Sequence, residues 1–333
     1  MLSKATVMGT GAMGTVMAQV LATNGVRVAL LGRRRELVEE IAAARENRLH
    51  LPGLKLSRHI TPTVDQQFAF SNTELVVSAV PCQYLRAAWE HDGWLLPAGV
   101  PVCSATKGIE HDTLYRPSEI IDQCVGDNAV AVLSGPSVAP EIARCLPATV
   151  VVASAAPGVA EEMQAALSTS WFRVYTNPDV LGVELAGAIK NVIALAAGIL
   201  DGLRAGDNAK AALLTRGLAE IARLGVALGA HPQTFMGLAG VGDLVTTCVS
   251  PLGRNRSAGQ AIGQGVPVEQ VVRDSAGVIE GIPTAGAVLK LAARVEVEMP
   301  ITRAVHEVLF EDKPPLAAIT ELMRRPLKPE DHG

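Results

Sequence analysis

ATVMGTGAMG, residues 5–14, joins a short apolar run to three glycines, Gly9, Gly11 and Gly14, spaced as G-x-G-x-x-G. Alone, that spacing describes only a flexible turn. Its flanks give it meaning. The run at 5–8 has the composition of a buried strand, 13–24 carries helical spacing, and 27–31 is a second apolar run ending at Gly32. A strand, a glycine turn and a helix in that order open a dinucleotide-binding βαβ unit. In such a unit the glycines allow a tight turn and close backbone approach, while the helix N-terminus offers free N–H groups and a positive dipole to a pyrophosphate. Gly9, Gly11, Ala12, Met13 and Gly14 are therefore expected to line a dinucleotide.

The second strand of such a unit usually ends on Asp or Glu, which bonds the ribose 2′-hydroxyl of NAD. Here the chain has Gly32-Arg33-Arg34-Arg35. Guanidinium groups match a 2′-phosphate, so Arg33 and Arg34 favour NADP(H), with NAD(H) possible. The alternative is that one arginine faces the ligand and the others are solvated at a helix start.

Working outward, further strand candidates lie at 74–80, 100–104, 129–133 and 149–153, several of them continuous Val/Ala/Leu runs suited to strands buried on both faces of a parallel sheet. Helical stretches such as 34–47 supply crossovers, which predicts a doubly wound α/β domain over 1–178. Beyond Asn177-Pro178 the strand signal fades, and Ala/Leu/Gly-rich helical spacing predicts an all-helical domain over 179–333. Asp207-Asn208 can cap a helix running to Leu228, and the tail from 325 reads as loose.

The chain's 333 residues fit two domains of roughly 150 residues each. Hydrophobic residues make up 49%, enough for a large aliphatic core, and the net charge of -4 supplies no broad basic field for nucleic acid or an anionic membrane. The N-terminus runs almost directly into a strand, leaving no room for a secretion signal. Residues 181–200 are the nearest thing to a membrane span, but Glu184, Lys190 and Asn191 interrupt them, so a buried helix and no stable membrane insertion are expected. Five cysteines without a C-x-x-C pair suit reduced thiols and a cytoplasmic location, and no metal site is visible.

Past the glycine turn, seven motifs occur in order: SATKGIE (104–110), LSGPSVAPEIA (133–143), GVELAGAIKNVIALAAGILDGL (182–203), GDNAKAALLTRGLAEIARLG (206–225), GLAGVGDLVTTC (237–248), GRNR (253–256) and GVIEG (277–281). Together they resemble the bacterial NAD(P)-dependent glycerol-3-phosphate dehydrogenases over nearly the whole chain. The resemblance implies a Rossmann-type domain followed by a helical domain of the 6-phosphogluconate-dehydrogenase-like kind. It also implies interconversion of dihydroxyacetone phosphate and sn-glycerol 3-phosphate, the phospholipid backbone precursor, and a homodimer.

A ketone accepting hydride develops charge on oxygen and needs a proton donor. Lys190, an ammonium inside an apolar helix beside Asn191, is unusual enough to face a cavity or a partner. By resemblance it is the acid in reduction and the acceptor in oxidation; otherwise it is a structural lysine paired with Glu184 or Asp243. Asp243 can orient Lys190, or cap the helix that follows it. Lys107, just past the strand at 100–104, helps hold substrate and cofactor by resemblance, and is otherwise a surface lysine. For the substrate's phosphate, Arg254, Asn255, Gly135 and Ser137 supply donors, with Asn191 and Thr247 as further substrate contacts.

The resemblance also puts Arg254, Ala139, Val278 and Glu280 near the cofactor. Gly253 stands where the family commonly has serine, and Met13 where an aromatic is frequent. His50, His59, His91, His111, His231, His306 and His332 fall outside these motifs and receive no catalytic role. Two other readings remain: a reductase of a 3-hydroxy acid or ketopantoate-like substrate, and a non-catalytic dinucleotide sensor.

Overall fold

The computed structural model describes residues 2–275, 277–327 and 329–330. The chain divides into two units, one formed by 1–107 with 117–180 and the other by 108–116 with 181–333. The sequence reading draws a single boundary near 178. The structure instead passes a short excursion, 108–116, to the helical unit before the chain returns to the first.

The first unit carries an eight-stranded sheet: β1 (Lys4–Met8), β2 (Arg27–Leu31), β3 (Ile60–Thr63), β4 (Leu75–Ser78), β5 (Val102–Ser104), β6 (Val130–Ser134), β7 (Ala148–Ser154) and β8 (Phe172–Asn177). Their order is β3-β2-β1-β4-β5-β6-β7-β8. Strand order reverses beside β1, between β2 on one side and β4 on the other, with all three parallel. Ligands of open α/β sheets bind beyond the carboxyl ends at such a switch point, where the glycine turn leaves β1.

Continuous apolar strands follow from burial on both faces. Val7, Leu30, Val77 and Cys103 pack into one hydrophobic cluster, and their neighbours Met8, Leu31, Val76 and Val102 into another with Phe70 and Trp89. Alternate residues thus serve opposite faces, so no polar alternation appears.

Three features depart from the sequence reading. β3 carries Pro62 opposite Leu30 and lies at the sheet edge, where a missing N–H is tolerated. β8 forms the other edge, with Phe172 and Val174 buried and Arg173 and Tyr175 exposed between them. β7 runs antiparallel to β6, with Ala131 opposite Ser154, so the sheet is mixed rather than wholly parallel.

In the second unit, the helix Val180–Gly202 is long and apolar enough to cross a membrane by composition, yet it is buried from Gly182 to Leu200. It meets the helix Arg254–Gly263 at very short range. A Cβ added at Gly198 would lie 2.0 Å from the Arg256 carbonyl oxygen, and one at Gly259 2.0 Å from that of Leu195. Only glycine permits this approach, which brings Asn255 beside Asn191.

The excursion is tied to the long helix by Arg116, 2.6 Å from the Glu184 carboxylate. The helix Asp207–Ala227 begins at Asp207 itself, with Gly206 at φ +87° as its cap and no side-chain cap bond, so Asp207-Asn208 do not cap it. The described part of the tail is held: Arg325 pairs with Glu298 at 2.8 Å, and Arg216 donates to the Glu330 carbonyl at 3.3 Å. His332 lies outside the described residues.

Candidate active site

The glycine turn has the geometry of an anion cradle. Gly9 sits at φ +107°, and a Cβ there would stand 2.7 Å from the Ala79 carbonyl oxygen; at Gly14 it would stand 1.9 Å from that of Gly9. Nothing lies within 4 Å of a Cβ built on Gly11, so that side of the turn is open. Gly11 caps the helix Ala12–Thr23 without a side-chain bond, and no acidic residue occupies the first turn. Free N–H groups and an uncompensated positive dipole therefore face the opening, which is what a pyrophosphate requires.

The arginines after β2 diverge. Arg33 donates to the Ala87 carbonyl at 2.8 Å, committing one edge of its guanidinium to protein backbone. Arg34 shares a cleft with Arg48, Glu36, Leu37, Glu40 and Leu49. The sequence reading had no means of bringing Arg48 to Arg34, because the intervening helix Arg35–Ala44 separates them in the chain.

Beyond the carboxyl ends of β5 and β6, the Lys107 ammonium donates to the Gly135 carbonyl at 3.3 Å and to Ser137 Oγ at 3.4 Å. Ser137 in turn donates to the Gly135 carbonyl at 3.0 Å. Gly135, at φ +117°, presses against Val150, and Ala139 opens the short helix Ala139–Ala143.

In the helical unit, Lys190 donates to Asp243 Oδ1 at 2.5 Å and to Thr247 Oγ1 at 2.6 Å. The Lys190 and Asp243 side chains are 6% and 2% exposed, which makes this a buried ion pair. Glu184 is committed to Arg116 instead. Asp243 starts the helix Asp243–Val249, with Gly242 in the cap position, and its carboxylate accepts from Lys190. Thr247 donates back to Asp243 at 3.3 Å, closing a three-membered network. Its hydroxyl props the pair rather than reaching outward. Burial pushes the neighbouring Cys248 thiol up to about 12, with the Lys190 charge opposing, so no thiolate nucleophile is present there.

A second chain of bonds sits alongside. Asn255 donates to the Asn191 side-chain oxygen at 2.9 Å and accepts from the Gly281 N–H at 2.9 Å, joining three helices. Arg254 is exposed and donates to the Val278 carbonyl at 3.0 Å, while Glu280 precedes the helix Gly281–Arg294. Gly253 caps the helix Arg254–Gly263; a Cβ there would lie 3.2 Å from the Thr247 carbonyl oxygen, a tight fit for the serine common in the family it resembles.

Sequence comparison decides the family. The profile of the NAD-dependent glycerol-3-phosphate dehydrogenase N-terminus matches residues 4–160, and that of its C-terminus matches 179–320. This chain belongs to the NAD-dependent glycerol-3-phosphate dehydrogenase family. It is similar to a Streptomyces coelicolor protein named glycerol-3-phosphate dehydrogenase (NAD(P)+), at 47% identity over 98% of each chain. A Geobacter sp. protein of the same name is 46% identical over 99% of each. Among solved structures, the glycerol-3-phosphate dehydrogenase of Coxiella burnetii superposes with a TM-score of 0.94 at 35% identity, covering 97% of this chain and 99% of that one.

The glycine turn was legible in sequence, as was the need of Lys190 for a partner in either Asp243 or Glu184. Arg48, and the Arg116–Glu184 pair that holds the excursion, were not. Both depend on contacts across long separations in the chain.

Proposed function

We propose that this chain interconverts dihydroxyacetone phosphate and sn-glycerol 3-phosphate, with NADP(H) favoured and NAD(H) accepted. The observation that carries the proposal is Lys190: a buried ammonium held by a carboxylate and a hydroxyl in a helix whose other buried residues are nearly all apolar. Burying a charge costs stability even when it is paired, and proton delivery to a ketone oxygen would account for keeping one here. The turn at 9–14, with Arg34, would hold the dinucleotide; the glycine positions fit a pyrophosphate that approaches backbone closely. When bound, the reduced nicotinamide supplies hydride to the carbonyl carbon.

Lys190 gives its proton to the substrate oxygen during reduction and takes it back during oxidation. Asp243 and Thr247 fix the ammonium in place, so that little reorganisation is needed as charge develops on the oxygen. Lys107 adds a second positive charge that holds substrate. Arg254 offers a planar fork to the phosphate at the start of a helix with no side-chain cap and no acid in its first turn, and Asn255 with Asn191 locks that helix start in register. Arg254, Ala139, Val278 and Glu280 are assigned to the cofactor as well. A cytoplasmic homodimer supplying phospholipid synthesis completes the reading.

Steady-state oxidation of the reduced cofactor tests it. Dihydroxyacetone phosphate should turn over, and Arg254→Ala should raise its KM. Robust turnover of non-phosphorylated keto acids would overturn the substrate assignment, and cofactor binding without turnover would favour a sensor.

A further inference from the structure

Asn47 lies 37 positions from the glycine turn in sequence, yet its side chain is fully buried against it. Its amide donates to the Thr10 carbonyl at 2.8 Å and to Thr15 Oγ1 at 2.8 Å. Its oxygen accepts from the His50 N–H at 3.2 Å, which fixes which way the amide points. Thr15 Oγ1, having accepted from Asn47, donates to the Gly11 carbonyl at 2.9 Å. Every polar atom in this small network is used, and each bond runs in the only direction its chemistry allows.

The Thr10 carbonyl is thereby drawn inward, and so is that of Gly11, which also accepts the Thr15 N–H at 3.0 Å as the first bond of the helix. In a planar trans peptide the N–H points opposite to the C=O of the same unit. Drawing the Thr10 carbonyl toward Asn47 therefore sends the Gly11 N–H the other way, and drawing the Gly11 carbonyl toward Thr15 does the same for the Ala12 N–H. The open face of the turn is left with N–H donors, and two carbonyl dipoles that would repel an anion are removed from it.

We infer that Asn47, acting through Thr15, is a positioning residue that aims the Gly11 and Ala12 amides at the cofactor's pyrophosphate. This rests on the cofactor reading above. Asn47 touches no ligand itself; it sets the electrostatic sign of the surface that does. The nearly isosteric Asn47→Asp would place a carboxylate against the Thr10 carbonyl, and Thr15→Val would remove the hydroxyl that links Asn47 to Gly11 while the Thr15 N–H still holds the Gly11 carbonyl.

The test compares the intact chain, Asn47→Asp, Thr15→Val and Thr15→Ser by NADPH titration, steady-state kinetics and phosphorus NMR of bound NADPH. Losing an amide bond and turning a carbonyl outward should weaken NADPH binding roughly 10- to 100-fold in Asn47→Asp, and less in Thr15→Val. The rate at saturating NADPH should stay within about threefold, since no reacting group is touched. Thr15→Ser, which keeps the hydroxyl, should recover most of the affinity. The pyrophosphate resonances of bound NADPH should move while the 2′-phosphate resonance stays, and inhibition by adenosine 2′-monophosphate, which has no 5′-phosphate, should change little.

A general loosening of the fold would instead weaken both ligands together, and that result would overturn the inference. If Asn47→Asp does not fold, Thr15→Val decides. Unchanged NADPH affinity in the variants, with normal binding by the intact chain, would overturn this inference alone. An intact chain that does not bind NADPH would overturn the cofactor reading and this inference with it.

Discussion

Replacing Asp243 with Asn keeps the shape of the Lys190 network and removes its negative charge. The pair is 6% and 2% exposed, with Nζ 2.5 Å from the carboxylate, so water cannot take the place of the lost charge. Breaking a buried pair by removing one partner costs about 3–5 kcal/mol. Thr247 Oγ1, 2.6 Å from Nζ, and the amide oxygen of the new side chain both remain, which places the cost near the lower end. Roughly 3 kcal/mol, at 1.36 kcal/mol per factor of ten, is a fall of about 100-fold in the reductive rate if it is expressed in the transition state. If it is expressed in folding, it is a large fraction of total stability.

The assay is reduced-cofactor absorbance at saturating dihydroxyacetone phosphate, in ordinary and in deuterated water, with urea unfolding of the same samples. The expected result is a fall in kcat near 100-fold, a larger solvent isotope effect as proton delivery becomes limiting, and an NADPH Kd close to that of the intact chain. A folded Asp243→Asn variant with kcat unchanged would refute the claim that this carboxylate holds the proton donor.

Replacing Arg34 should weaken NADPH roughly 10- to 100-fold and NADH little, because a charge-assisted contact to a 2′-phosphate is worth about 1.5–3 kcal/mol; Arg33, already bonded to Ala87, should matter less. Equal losses for both cofactors, measured as KM ratios, would remove the arginines from 2′-phosphate recognition. Gly14→Ala would force a methyl to within 1.9 Å of the Gly9 carbonyl oxygen, so NADPH binding should be lost and the urea midpoint lowered. Retained cofactor affinity would show that the turn is not the cradle. Burial raises the Glu220 carboxyl from 4.5 to about 7, against the bonds it accepts from the Ile301 and Thr302 N–H groups. A raised folded-state value means stability is full below 4.5 and is lost as pH climbs through about 7, by on the order of 3 kcal/mol. The urea midpoint should fall across that window, and Glu220→Gln should flatten the fall; an unchanged slope in the variant would deny Glu220 its part.

Local chemistry explains what the sequence made legible. The turn at 9–14 announces itself because strand, glycines and helix are contiguous. Lys190 stands out because an ammonium in an apolar helix demands a partner, and Asp243 was one of two acidic residues available to it. The choice between Asp243 and Glu184 needed the fold, since it depends on Arg116 arriving from the excursion at 108–116 to claim Glu184. β3 and β8 were missed because Pro62 and the charged and polar residues of FRVYTN break the buried-strand composition, which edge strands need not keep. The direction of β7, antiparallel to β6, leaves no mark on the strand's own residues. Asn47 looked like an ordinary polar residue after a helix. Its meaning lies in the carbonyl of Thr10, and no spacing rule joins the two.

The most direct test of the proposed chemistry is single-turnover reduction of dihydroxyacetone phosphate by Lys190→Ala preloaded with NADPH. Loss of the positioned proton donor should slow the chemical step by about 100- to 10,000-fold, with the NADPH Kd within about twofold of the intact chain. A chemical step at the intact rate, or a loss of NADPH affinity as large as the loss of rate, would contradict the assignment of Lys190 as the proton donor.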